Sequence, residues 1–159
     1  MRFRYPRLLL LALIAMLLTM SGNPSEASPE HATREEAQEL CEKATALIQF
    51  ADIEKAKEAF QNRSSPFFDR DLYVFVFDNK GIFIAHGSEP LLIGMNGYNL
   101  RDIHGIPLVR QFLAVKDRAW VDYSWADPED GHKIKPKSSY IIRVNDYFVG
   151  VGYYKNKIK

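Results

Sequence analysis

The chain has 159 residues, enough for one domain and one core, with 47% hydrophobic and 13% aromatic residues and a formal charge of +1. A balance this close to neutral leaves no electrostatic footprint for nucleic acid or anionic lipid. A single cysteine, Cys41, excludes an intrachain disulfide.

The N-terminus has the three-part layout of a secretory signal peptide. Arg2, Arg4 and Arg7 precede an apolar run from Leu8 to Met20, and small and polar residues follow to Ser28. The run is 13 residues long, short of the roughly 20 a spanning helix needs. Ser25 and Ala27 suit a cut after Ala27, so residues 1–27 are expected to be removed; an uncleaved anchor is the alternative. The cut takes away three cations and Glu26, and the net charge passes from +1 to −1. Export across the inner membrane, to a periplasmic location without a membrane anchor, is the expected outcome.

Residues 28–32 read as a leader and 33–159 as the domain. Thr33 and Glu36 have capping-box spacing. Ala37, Leu40, Cys41, Ala44, Leu47, Ile48 and Ala51 then recur at three and four residues, with Ala56, Ala59 and Phe60 prolonging the stripe. One amphipathic helix of about 28 residues is predicted, stopped by Asn62 to Pro66. Cys41 lies on its apolar stripe and reads as a small buried residue.

A hairpin follows: Leu72 to Phe77, a turn at Asp78 to Gly81, and Ile82 to His86. Gly87 to Gly105 is a Gly/Asn/Pro-rich connection too long to be idle, and Pro107 can open a short helix. Strands are predicted at Ala119–Trp125, Lys137–Val144 and Tyr147–Tyr154, joined by turns at Asp127–Gly131 and Asn145–Asp146. Short connections imply an antiparallel sheet of about five strands, an α+β fold with the long helix on one face. The Gly87–Lys116 segment must cover the other face, a natural place for a small pocket.

Strand alternation puts Val121, Tyr123 and Trp125 on one face and Trp120 on the other. Phe148, Gly150, Gly152 and Tyr154 share a face; two glycines there ask for a close approach, by a ligand or by a packed helix.

In order and spacing, Asp71-Leu72-Tyr73-Val74-Phe75, Asp78 with Gly81, Ala85-His86, Trp120 to Pro128, Lys137 with Tyr140, and Gly150-x-Gly152-x-Tyr154 resemble extracellular single Cache sensor domains of the Cache-2-like type. The resemblance runs from about Ala32 to Tyr154. It implies a PAS-like architecture and binding of a small organic ligand, often a short carboxylate, outside the membrane.

Candidate ligand contacts are Tyr73, His86, Arg110, Trp120, Tyr123, Trp125, Lys137, Tyr140, Gly150 and Gly152. Lys137 beside tyrosine hydroxyls would receive a carboxylate through charge-assisted hydrogen bonds. Tyr123 and Trp125 offer a hydroxyl and an indole N–H next to apolar ring surface. Arg110 is a further anion partner, unless its helix turns it to water.

No nucleophile, base and orienter stand in a recognisable pattern. The four histidines lack ligand spacing, and the Asp127 to Gly131 turn reads as solvated rather than as a calcium loop. Binding without chemistry is expected, with no metal and no cofactor. With no second apolar span, the domain is expected to act in solution or to hand its ligand state to a membrane receptor or kinase. The alternative is a ligand-free interaction module, whose long helix offers a surface for a partner or for a homodimer.

Overall fold

A computed structural model describes residues 31–155; the expected signal peptide lies outside them. Helix α1 spans Arg34–Phe50 and α2 spans Ile53–Gln61. Strands β1 (Phe68–Asp69), β2 (Leu72–Asp78) and β3 (Phe83–His86) follow, then a 3-10 turn at Pro90–Leu92 and helix α3 (Leu108–Leu113). Strands β4 (Arg118–Asp127), β5 (Lys133–Val144) and β6 (Tyr147–Tyr154) close the domain. Among the described residues no helix is long and apolar enough to cross a membrane.

The capping box forms as its spacing predicts. Thr33 Oγ1 accepts the Glu36 N–H at 3.2 Å, and the Glu36 carboxylate accepts the Thr33 N–H at 2.7 Å. The single long helix does not form. Ala51 takes an extended conformation, and the Asp52 carboxylate accepts the Lys55 N–H at 2.9 Å, capping a second helix. Aspartate satisfies a free N–H there and so favours a new start over continuation. The break lets α2 turn Ala56 and Phe60 inward. At the other cover, Pro107 precedes α3 as its cap rather than opening it.

The antiparallel sheet runs β3-β2-β6-β5-β4, with the two-residue β1 paired to the start of β2. Gly81 (φ +82°) turns the β2–β3 hairpin, and Asn145 (φ 52°) turns β5 into β6. Residues 94–96 run along the outer edge of β3, where the Phe83 N–H reaches Met95 O at 3.0 Å. Pro136 lies within β5, and its carbonyl accepts the Lys155 N–H at 2.9 Å.

Each face of the sheet has its own core. Leu72, Val74 and Val76 of β2, with Val149 and Val151 of β6, pack under the α1 stripe, where Ala37, Cys41 and Ala44 are fully buried. Tyr73, Phe75 and Phe77 point the other way, with Ile141 and Phe148, beneath Leu108, Val109 and Phe112. Strand β2 is therefore buried on both faces, and it reads as an unbroken apolar run for that reason.

Candidate functional site

Between the sheet and its Gly87–Lys116 cover lies a cavity of about 20 Å³, walled by the Phe75, Phe77, Phe83 and Phe112 rings and the α3 side chains Leu108 and Val109. Room on this scale accommodates about one water. The Phe112 ring reaches down from α3 to lie 5.6 Å from Phe75 and 5.4 Å from Tyr123, centre to centre. Four of the expected site residues line the same cavity: Tyr73, His86, Tyr123 and Trp125.

Polar groups collect at the β4–β6 end of this apolar chamber. Register sets Lys137 opposite both Tyr123 and Tyr154, on the cavity face. The lysine is only 1% exposed. Its ammonium lies 3.9 Å over the Tyr73 ring and 4.4 Å over the Tyr154 ring, and it donates to the Tyr154 hydroxyl at 3.4 Å. Ring faces attract a desolvated cation, but they do not replace a carboxylate. Burial pushes Lys137 down to about 7, against the upward pull of Asp71 and Asp127. Next to it, the Tyr123 and Ser139 hydroxyls bond at 2.8 Å. Burial raises the Tyr73, Tyr123 and Tyr154 phenols, which stay protonated at neutral pH.

His86 Nδ1 accepts the Glu89 N–H at 2.9 Å, so the neutral ring carries its proton on Nε2. Burial, and secondarily the Lys137 charge, push His86 down to about 3. The Tyr154 hydroxyl donates to Ala126 O; Lys137, His86 and the Tyr73 and Tyr123 hydroxyls remain as donors, and none is an anion.

The two glycines have a different occupant from either expected one. A Cβ on Gly150 would run into the Phe75 ring and stand 2.8 Å from Ile141 Cδ1. A Cβ on Gly152 would stand 2.7 Å from Lys137 Cε and closer still to Ser139 Oγ. The sheet's own side chains make the close approach, and Gly152 leaves the space that the buried lysine fills.

Beyond Lys137 lies a group of charges that sequence reasoning missed. Asp71 and Asp127 are both fully buried. Asp71 Oδ1 accepts the Ala32 N–H at 2.7 Å; its Oδ2 stands 3.4 Å from His31 Nδ1 without hydrogen-bond geometry. Asp127 Oδ1 accepts the Glu129 N–H at 3.0 Å, and Oδ2 takes Lys135 Nζ at 2.8 Å. The 127–131 turn is therefore not simply solvated: its first residue anchors it from inside.

Three expected contacts fall elsewhere. The Tyr140 and Trp120 rings lie tilted against each other, 5.0 Å between centres, on the helix side of the sheet, with Arg34 of α1 4.0 Å above the indole. Strand parity sends both side chains through the sheet, away from the cavity. Arg110 is exposed, bonding Asn99 Oδ1 at 2.7 Å and covering the Tyr98 ring, because α3 turns Leu108, Val109 and Phe112 inward instead. The outward side of α1 is polar apart from Phe50, which is 90% exposed, so the apolar stripe offered to a partner is spent on the sheet.

The family model for Single Cache domain 2 matches residues 12–159, starting inside the apolar N-terminal run. No curated protein matches significantly. Among solved structures, a methyl-accepting chemotaxis protein from Vibrio parahaemolyticus RIMD 2210633 is similar at 24% identity and TM-score 0.65, over 76% of this chain and 86% of its own. A Cache chemosensory domain, described for its carboxylic acid recognition, shares the fold at 18% identity and TM-score 0.68, over 77% and 92% of the two chains. A periplasmic sensor domain of a chemotaxis protein matches at 26% identity and TM-score 0.59, over 77% and 90%. The last two are described as chemosensory or sensor domains.

Proposed function

Because the chain belongs to the Single Cache domain 2 family, we propose that it is an exported, periplasmic sensor domain that binds a small monocarboxylate with an apolar body, without chemistry. One observation carries the reading: a buried lysine among tyrosine hydroxyls, placed at the end of an aromatic chamber. The carboxylate would meet Lys137 and the Tyr73, Tyr123 and His86 donors, and charge-assisted bonds in a dry site are the strong ones. An α-ammonium group would find no acceptor anion beside it, since neither Asp71 nor Asp127 lines the cavity. Amino acids and amines are therefore disfavoured. The Phe75, Phe77 and Phe112 rings suit an aliphatic or aromatic body. Carboxylic acid recognition by a domain of the same fold supports the class.

The chamber of about 20 Å³ is smaller than any such ligand. Entry therefore requires Phe112 and its six-residue helix to move outward. The same filled chamber supports a second reading, a domain that has given up its ligand and acts through a membrane receptor. Thermal shift and calorimetry on residues 28–159 with propionate, isobutyrate and benzoate, beside alanine, valine and butylamine, separate the two. Stabilisation by carboxylates alone is expected; flat melting across the panel favours the second reading.

A further inference from the structure

Among the described residues Lys137 has no carboxylate at contact. Its hydrogen bond goes to a neutral phenol, 3.4 Å away. The groups facing it are mostly uncharged: Tyr73 from β2, His86 from β3, Tyr123 from β4 and Tyr154 from β6. An ammonium in such surroundings sheds its proton, and a neutral amine receives no anion. Two buried carboxylates adjoin the groups that hold it: Asp71 stands two residues before Tyr73, whose ring lies 3.9 Å from the ammonium, and Asp127 follows Ala126, whose carbonyl accepts the Tyr154 hydroxyl. Asp71 precedes β2 and Asp127 ends β4, and both are held rigidly by backbone N–H groups at Ala32 and Glu129. Lys135 offsets part of the Asp127 charge, at 2.8 Å, and His31 lies between the two acids, 3.4 Å from Asp71 and 3.8 Å from Asp127.

We propose that Asp71 and Asp127 are positioning residues for the candidate ligand site, which from outside the cavity keep the positive charge on Lys137. This rests on reading Lys137 as the anion-receiving group. At low effective dielectric a fixed carboxylate acts across several ångströms. The arrangement leaves the ammonium free for a ligand, because a carboxylate in direct contact would compete with it. Asp71 has a second duty: the same side chain holds the Ala32 N–H one residue before the α1 cap, so the charge of the site and the entrance to α1 share one anchor.

The test follows the Lys137 ε-methylene by NMR across pH 5–10 in the wild type, Asp71→Asn and Asp127→Asn, with Lys137→Met for assignment. Asparagine keeps an acceptor oxygen for the Ala32 or Glu129 N–H, and circular dichroism checks folding. The Lys137 midpoint is expected to fall by about one pH unit or more in each variant. Benzoate binding, measured at pH 5.5 and 8.0, is expected to weaken about tenfold in the variants at pH 8.0 and by less than about twofold at pH 5.5. A role in packing alone would weaken both equally. An unchanged midpoint in either folded variant overturns the proposal, even if benzoate binds. A shifted midpoint with no carboxylate binding leaves the charge assignment standing and removes the sensor reading instead.

Discussion

Gly152 and Lys137 form a lock between adjacent strands: the lysine's Cε occupies the place where a side chain at 152 would begin, 2.7 Å from that position. A glycine within a strand loses stability. Here the loss makes room for a buried cation, and no side chain can be added at 152 while Lys137 keeps its place.

Gly152→Ala is therefore expected to displace Lys137 and Ser139. Overpacking of this kind costs about 1–3 kcal/mol. Urea melts should show that loss, and calorimetry should show carboxylate binding weakened at least tenfold. Binding at wild-type strength in a folded Gly152→Ala protein would mean that Lys137 has no part in it.

The depressed Lys137 makes stability depend on pH in the alkaline direction. Between about 7, its value in the fold, and 10.5, its ordinary value, the unfolded chain holds the extra proton. Stability is then gained as pH rises through that window. Measured against Lys137→Met, the wild type should gain on the order of a few kcal/mol from pH 7 to 9.5. The buried phenols Tyr73, Tyr123 and Tyr154 work oppositely above pH 10, and the comparison cancels them.

His86 governs the acid side. It titrates at about 3 in the fold against 6.5 ordinarily, so the unfolded chain binds the extra proton between those values. Stability is lost as pH falls from 6.5 toward 3. His86→Phe keeps the ring contacts with Tyr73 and Phe83 and gives up the Glu89 N–H acceptor. It should cost about 1 kcal/mol at pH 7 and flatten the acid limb of the melting-temperature profile.

Arg110→Ala should leave carboxylate affinity within about twofold of wild type, since the guanidinium sits on Tyr98 and Asn99 at the surface. Stability should change by less than about 1 kcal/mol. A large loss of affinity would place the anion site on the outer side of α3 rather than at Lys137.

Most of the sheet was legible because turn residues punctuate alternating runs, and β6 falls at the expected Tyr147–Tyr154. Parity alone also put Tyr123 with Trp125 and Gly150 with Gly152, without saying which face held the cavity; Tyr140 was expected beside Lys137 although it lies three residues away in the same strand, on the opposite face. The break at Asp52 was not legible, because an aspartate on a helix's wet side and one capping a new helix have the same spacing. Asp71 and Asp127 were hidden for a related reason. An acid beside a turn is usually solvated, and only the fold reveals that backbone N–H groups, His31 and Lys135 surround these two. That Phe112 reaches down from α3 into the chamber was not legible either, because helical spacing sets which side of α3 is apolar but not how deep one ring reaches.

Pro136 gives the last strand a fixed terminus. Its carbonyl takes the Lys155 N–H, but it has no N–H to return, so the reciprocal bond that would lengthen the ladder cannot form. Since the His31 ring lies 6.3 Å from the Tyr154 ring, the end of this strand stands beside the residues that lead into α1.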